Sequence, residues 1–366
     1  MIGPILPDQN TLPRSSAWRL LAHAPFIASG VAPLLLATIG VIVTFFGALA
    51  LDRLIPIAGR PIDFSLHREA TGVLIESLLN QAFQTGDFFE TIVEPQFLLI
   101  RRFLDFFRVA AGARGALRSG IFGLWFLLVW GLFGTAISRT VLVRVSRGSF
   151  LGIFPSLRYS LMRLPTVLVT PLAPVLFALA LAIPGALFGL LSRIPGDFGV
   201  LAPIAGFVPV FLGLITTILL VAPTLGWPLV ATTMAAEDED GFEIISRVSS
   251  YVKRRMVAYL ILLLMTYLIG VGGLAAARLF TEAVFVFASW SVRLSGDRWH
   301  DLIDPWRSVA SVLVLGWVYS YFWTAISLVY LRLRLEIDGA EMHEIADDRP
   351  NTSAVPVFIE ELGPAS

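Results

Sequence analysis

The placement of charged residues constrains this chain more than any other feature of its sequence. All 27 basic and 27 acidic residues lie between or beyond six stretches that contain no Asp, Glu, Lys or Arg. A bilayer crossing takes about 20 apolar residues, and a charge at its centre costs about 3 kcal/mol. The pattern therefore predicts an all-α fold, a polytopic membrane helix bundle of about six transmembrane helices with amphipathic interfacial elbow helices. The uncharged stretches are 20–51, 119–138, 165–192, 198–236, 256–277 and 308–331.

The overall composition agrees with a membrane protein and excludes several kinds of chemistry. The chain is 56% hydrophobic with a mean hydropathy of +0.79. Its basic and acidic residues balance, so no basic stripe predicts nucleic-acid binding. It has no cysteine, which rules out disulfides, thiolate metal sites and cysteine nucleophiles.

The basic residues also predict an orientation, because cytoplasmic loops are enriched in Lys and Arg. The side of the membrane that holds both termini carries 14 basic residues, and the other side carries 13. Eight of those 13 lie in one loop, 52–118, and loops that long cross the membrane largely regardless of charge. We therefore expect both termini to lie in the cytoplasm. The predicted divisions are a cytoplasmic segment with a lead-in helix (1–30), a six-span domain (31–335) and a cytoplasmic tail (336–366).

The long loop 52–118 is predicted to be extracytoplasmic and helical. Apolar residues recur at helical spacing in 63–82 and again in 96–111, where they alternate with arginines. This pattern is typical of a helix lying in the outer membrane interface. A ligand-capturing outer domain is the alternative interpretation.

An acidic run at 237–240 precedes a short amphipathic helix. Asp240, with Glu243 three residues later, forms the pattern of a capping box. A metal site in the acidic run is the alternative, but a calcium loop needs spaced ligands and a closing glutamate, and these acids are consecutive. We therefore predict a helix cap here. One face of the helix is expected to carry Phe242, Ile245, Ser249 and Val252.

Basic residues lie just before the third and fifth spans, where arginine and lysine can contact lipid phosphate. These candidate interfacial lipid contacts are Arg158, Arg163, Lys253, Arg254 and Arg255. They predict anionic lipid headgroups as partners.

The same two regions resemble an internal repeat. Phe150 precedes Tyr159 by nine residues, and Phe242 precedes Tyr251 by the same distance. A span follows each unit. Duplicated halves are common in membrane folds, although any two amphipathic segments ahead of spans would share this pattern.

Four segments together resemble an uncharacterised family of multi-pass membrane proteins from planctomycete bacteria. They are Gly134-Thr-Ala-Ile-Ser-Arg139, the Gly226-Trp-Pro-Leu turn, the helix from Asp240 to Val252, and Tyr330-Leu-Arg-Leu-Arg-Leu-Glu-Ile-Asp-Gly339. The resemblance runs from about residue 115 to residue 345. It implies a lineage, a place in the bacterial inner (cytoplasmic) membrane and a membrane topology, and no activity.

No pattern of catalytic or metal-binding residues stands out. The four histidines are far apart, and none of the motifs of hydrolases, nucleotide-binding loops or zinc proteases occurs. The polar cluster 297–304, around His300, is best explained as an interfacial anchor. We therefore expect no cofactor, no metal site and no enzymatic activity.

The leading expectation is a non-enzymatic protein that organises the membrane or binds a partner, either another protein or a second copy of itself. The alternative is a carrier or channel for a neutral or lipid-like substrate. Prolines in the third and fourth spans favour it, because broken helices form binding sites in transporters. These are Pro171, Pro174, Pro184, Pro203, Pro209, Pro223 and Pro228.

Overall fold

A computed structural model describes residues 17–55, 91–96, 98, 106, 112–191, 201–237, 240–293 and 299–339. Over these residues the chain is helical, with a short helical segment at 91–96. The remaining helices are α1 (Ala17–Ala22), α2 (Ala24–Ala28), α3 (Val31–Leu54), α4 (Gly112–Arg147), α5 (Ile153–Leu191), α6 (Leu201–Ala236), α7 (Gly241–Arg254), α8 (Met256–Arg293) and α9 (Trp299–Ile337).

The predicted all-α membrane bundle is confirmed. Five helices (α3, α4, α5, α8 and α9) are long and apolar enough to cross a bilayer. The fourth predicted span corresponds to α6, which has 36 residues. Within α6, the apolar part whose side chains are described is Gly206–Leu220, which is shorter than a full membrane span. α5 runs without interruption through Pro171, Pro174 and Pro184, so the expected break in that span is absent.

The bundle is asymmetric, with α9 at its centre. In the most apolar window of each helix, 83% of α9 and 61% of α4 is buried, against 17% of α5 and 28% of α8. α9 contacts α3, α4, α6, α7 and α8. α5 and α8 thus present most of their surface to the surrounding lipid.

Helices α3 and α4 pack closely because Gly47 leaves room for Trp125. A Cβ at Gly47 would overlap the indole ring, whose Nε1 donates a hydrogen bond to the carbonyl of Val43 at 3.3 Å. Buried Arg118 and half-buried Asp52 form an ion pair at 2.9 Å where the two helices meet the long loop. We call this end of the bundle, marked by that pair, the loop end.

Segment 91–96 of the long loop packs against α8. Ile92 is 2% exposed, and its Cγ2 would lie 3.2 Å from a Cβ on Gly270 of α8. Arg278 donates a hydrogen bond from Nη2 to Thr91 Oγ1 at 3.3 Å. Segment 91–96 therefore lies beside the part of α8 that contains Gly270 and Arg278. The predicted helices 63–82 and 96–111 lie outside the described residues, apart from isolated positions.

In the two units of the proposed repeat, the corresponding aromatic residues have similar exposure, but the helices differ in continuity. Tyr159 and Tyr251 are both buried, whereas Phe150 and Phe242 are each 82% exposed. In the first unit α5 continues unbroken into the span. In the second unit the helix breaks at Arg255, between α7 and α8.

Candidate functional site at the end of α6

The last carbonyl groups of α6 are capped by side chains from two other helices. Tyr159 of α5 donates its hydroxyl hydrogen to the carbonyl of Met234 at 2.8 Å. Arg139 of α4 donates from Nη1 to the carbonyl of Ala235 at 2.9 Å. A helix C-terminus has carbonyls without helical partners and a partial negative charge, so a buried guanidinium suits this place.

Tyr159 is also flanked by two cations. The guanidinium carbon of Arg139 lies 4.5 Å from the centre of its ring, and that of Arg163 lies 5.3 Å from it. Cation–π contacts of this kind stabilise by about 0.5–2 kcal/mol, and most when desolvated, as Arg139 is. The contact explains why Arg163, one turn beyond Tyr159, is half-buried.

Glu237 follows α6 directly and joins three helices. Its carboxylate forms an ion pair with Arg247 of α7 and accepts a hydrogen bond from the hydroxyl of Tyr330 of α9. Arg334 of α9 places its Nε 3.3 Å from the same carboxylate. We call Glu237, Arg247, Tyr330 and Arg334 the Glu237 cluster. The Glu237 side chain is only 8% exposed, so these partners take the place of water around its carboxylate.

A second contact fixes the C-terminal part of α7. Tyr251 donates its hydroxyl hydrogen to Asp338, just after α9. Burial, reinforced by this carboxylate, raises the pKa of Tyr251 above its ordinary value. The phenol is therefore a neutral donor at physiological pH.

The four segments of the family resemblance meet at this end of the bundle, which we call the elbow end. Trp227, from the second segment, contacts Trp323 of α9 with ring centres 5.3 Å apart. Arg139, from the first segment, caps α6. The third segment supplies Arg247 of the Glu237 cluster, and the fourth supplies Tyr330 and Arg334. The four segments thus share a role in packing the helices together.

Asp240 occupies the N-cap position of α7, but its side chain makes no capping hydrogen bond. Glu243 lies in the first turn and places a carboxylate oxygen 3.8 Å from Arg247 Nη2. The reciprocal side-chain bonds of a capping box are therefore not formed at Asp240.

The predicted lipid contacts differ in exposure. Arg158, Lys253, Arg254 and Arg255 are exposed, and Arg163 is half-buried against Tyr159. The three consecutive basic residues lie where α7 meets α8, immediately before an apolar span. The elbow end therefore presents cations beside lipid-facing surface.

The buried face of α7 differs from the predicted one. It consists of Ile244, Val248, Tyr251 and Val252. Phe242 points away from the bundle. Of the four residues expected to share one face, Val252 is buried, Ile245 and Ser249 are half-buried and Phe242 is exposed, because the neighbouring helices determine which side of α7 is covered.

Sequence reasoning missed Glu237 and Tyr330. One signal was present: Glu237 and Arg139 are each the first charged residue after an uncharged stretch. Within the described residues, no group of three His, Cys, Asp or Glu could hold a metal ion. The side chain of His300 lies outside them.

No family model, no curated protein and no solved structure matches this chain. The resemblance to the planctomycete family therefore stays a prediction.

Proposed function

We propose that this protein is a non-enzymatic membrane organiser that binds anionic lipid headgroups at the elbow end. The observation that carries the proposal is the exposure of Lys253, Arg254 and Arg255 at the start of a lipid-facing span. Lys and Arg beside an anionic surface contribute about 1 kcal/mol each. The Glu237 cluster supports this role, since it holds α7 and its basic end in a fixed position.

The test compares two pairs of exposed arginines. The double variant Arg254→Gln/Arg255→Gln removes two charges from the elbow end, and Arg53→Gln/Arg114→Gln removes two from the loop end. Binding of phosphatidylglycerol over phosphatidylcholine is measured by native mass spectrometry after titration into mixed micelles. We expect the first variant to lose about 2 kcal/mol, roughly a 30-fold weaker preference for phosphatidylglycerol.

The loop-end variant should keep the preference of the parent protein. If both variants weaken the preference for phosphatidylglycerol equally, the binding is general electrostatic attraction and not a property of the elbow end. A parent protein without any preference for phosphatidylglycerol would refute it.

A carrier for a small hydrogen-bonding solute is the second candidate. Within the part of the chain that the structure describes, several fully buried polar atoms of α4, α6 and α9 have no hydrogen-bond partner. An unpaired buried donor costs about 1–3 kcal/mol, which a bound solute would offset. These atoms are Trp130 Nε1, Trp227 Nε1, Trp323 Nε1 and Tyr319 Oη.

The carrier hypothesis predicts that Trp323→Phe weakens solute uptake more than Trp290→Phe, an exposed position. Uptake would be followed in proteoliposomes with radiolabelled urea and glycerol. Uptake equal to that of protein-free vesicles would count against this second candidate.

A further inference from the structure

The apolar surface of α3 and α4 ends at charged residues of the loop end. Arg118 and Asp52 pair there, and the neighbouring Arg53 is exposed. A charged group facing hydrocarbon is strongly unfavourable, so the hydrocarbon layer ends near this level beside α3 and α4. The uncharged residues between Arg118 and Arg139 form a helix about 30 Å long, the thickness of that layer.

Helix α5 extends beyond this level. It runs antiparallel to α4, because Ser156 at its start shares a hydrogen bond with Thr140 at 2.9 Å, and Val167, further along, would lie 2.9 Å from a Cβ on Gly131. Gly131 lies 13 residues after Arg118 in α4, so α5 reaches the level of Arg118 about 13 residues after Val167. The remaining residues of α5 extend about 16 Å further from the elbow end.

Helix α6 accompanies α5 beyond this level. A Cβ on Gly185 would lie 3.9 Å from Pro209, so the two helices form a hairpin whose arms remain side by side there. We call residues 180–191 of α5 and 201–212 of α6 the outer part of this α5–α6 hairpin.

Tilt alone does not bring the outer part into a layer of ordinary thickness. α6 has 36 residues and no charge, which makes it about 54 Å long, and Arg139 and the Glu237 cluster hold its C-terminal end at the elbow end. A helix tilted by about 40°, the upper limit for membrane spans, uses about 39 Å of its length to cross a 30 Å layer. About 15 Å of α6 therefore exceeds that layer, in agreement with the length found for α5.

The surface of the outer part continues the lipid-facing surface of the hairpin. Every exposed side chain that the structure describes in the outer part is apolar, and no charged residue separates it from the rest of the hairpin. The large ones include Ile183, Leu187, Phe207 and Val210, each 56–71% exposed. Val169 and Leu176, on the part of α5 that lies beside α4, are 58% and 62% exposed. Acyl chains cover those two residues within the hydrocarbon layer, and the same face runs on without interruption.

We infer that acyl chains also cover the outer part of the α5–α6 hairpin, so that the bilayer is thicker beside this hairpin than beside α3 and α4, and that the protein selects lipids with long acyl chains there. An apolar surface longer than the hydrocarbon layer is accommodated by tilt or by local thickening, at a free-energy cost that grows with the mismatch. Longer chains reduce the mismatch. The selection acts on chains and not on headgroups, so it does not depend on the binding of anionic lipid.

The absence of native cysteine makes the test direct, since a single introduced thiol is the only one in the chain. Ile183→Cys and Val210→Cys place a thiol in the outer part. Val169→Cys is the control within the layer, and Arg53→Cys is the control in water. Each variant is reconstituted into nanodiscs of phosphatidylcholine with monounsaturated chains of fourteen, eighteen or twenty-two carbons. The reaction with a charged methanethiosulfonate is then timed, because it requires a thiolate exposed to water.

We expect the cysteines at positions 183 and 210 to react at least about 10-fold more slowly in the longest lipid than in the shortest. Position 169 should be slow and position 53 fast in all three lipids. Slow rates at 183 and 210 that ignore chain length would show that protein covers the outer part, such as a second copy. Fast rates that ignore chain length would place it in water. Either result would overturn the inference, even if the preference for phosphatidylglycerol persisted.

The selection of long chains is measured separately. The protein is reconstituted in an equal mixture of the shortest and longest phosphatidylcholines, extracted with a lipid-retaining polymer, and its lipids are quantified by mass spectrometry. We expect the longest lipid to be enriched at least about 2-fold over the mixture.

Two charged variants identify the surface responsible. Ile183→Arg/Val210→Arg should abolish the enrichment, because it ends the apolar surface near the level of Arg118. Leu54→Arg/Leu117→Arg adds the same charge at exposed positions beside Arg53 and Arg118, and should leave the enrichment unchanged. A parent protein without enrichment, or equal enrichment in the parent and the first variant, would overturn the inference.

Discussion

Removing the charge of Glu237 should destabilise the bundle more than any other single loss of charge at the elbow end. Glu237→Gln keeps the size of the side chain but leaves the guanidinium groups of Arg247 and Arg334 without this carboxylate. Breaking a buried ion pair by removing one partner costs about 3–5 kcal/mol. Arg334 is 12% exposed and Arg247 is 28% exposed, so water solvates part of the second charge. We therefore expect a loss near the lower limit, about 3 kcal/mol.

The chain offers a matched control for this prediction. Glu243 contacts the same Arg247, at 3.8 Å, but its side chain is 60% exposed. Exposed ion pairs of this spacing contribute about 0.3–0.5 kcal/mol, so Glu243→Gln should lose no more than about that. Both variants are measured by reversible unfolding in mixed micelles, with tryptophan fluorescence as the signal and the free energy of unfolding as the result.

A double-mutant cycle separates the ion pair from other effects. Glu237→Gln combined with Arg247→Gln should lose less stability than the sum of the single variants, because the double variant leaves one uncompensated guanidinium instead of two. If Glu237→Gln and Glu243→Gln lose the same free energy, the reasoning from burial is refuted.

Two further substitutions test packing and hydrogen bonding away from this ion pair. Gly47→Ala should cost about 1–3 kcal/mol of unfolding free energy, because its Cβ overlaps Trp125, whereas Gly123→Ala, with open space around its Cβ, should be neutral or stabilising. Equal thermal stability of the two alanine variants would contradict the proposed close contact. Tyr251→Phe should lose about 1–2 kcal/mol, since it removes the hydrogen bond to Asp338. The folded-state pKa of Tyr251 is raised, so its contribution is complete below the unfolded pKa of about 10 and falls as pH rises above it. The free energy of unfolding, measured from pH 7 to pH 11, should therefore fall less steeply with pH for the phenylalanine variant than for the parent. Parallel curves would rule out this linkage.

The spans could be predicted from the sequence because the cost of burying charge is a local property of each segment. The start of α7 at Asp240 could also be predicted from local sequence, because acidic residues favour the N-terminus of a helix. It did not predict which face of α7 is buried. That depends on Gly226 and Tyr330, which lie on other helices.

The Glu237 cluster could not be predicted from the sequence for a related reason. Glu237 was grouped with the acidic run that follows it, yet its partner Arg334 lies almost a hundred residues later in the chain. No spacing rule connects positions so far apart. Only the common pattern of a charged residue closing an uncharged stretch marked Glu237, Arg139 and Arg332, and that pattern alone does not reveal which of them meet.

The central position of α9 has a consequence for biosynthesis. α9 follows the other described helices in the chain and so leaves the ribosome after them, yet it is the most buried of the five long apolar helices, and α3, α4, α6, α7 and α8 all contact it. Until it is inserted, the earlier helices surround a space that it later fills, and Glu237 has only Arg247 of its three partners. We therefore expect the helices that precede α9 to associate only loosely in the membrane until α9 is inserted among them.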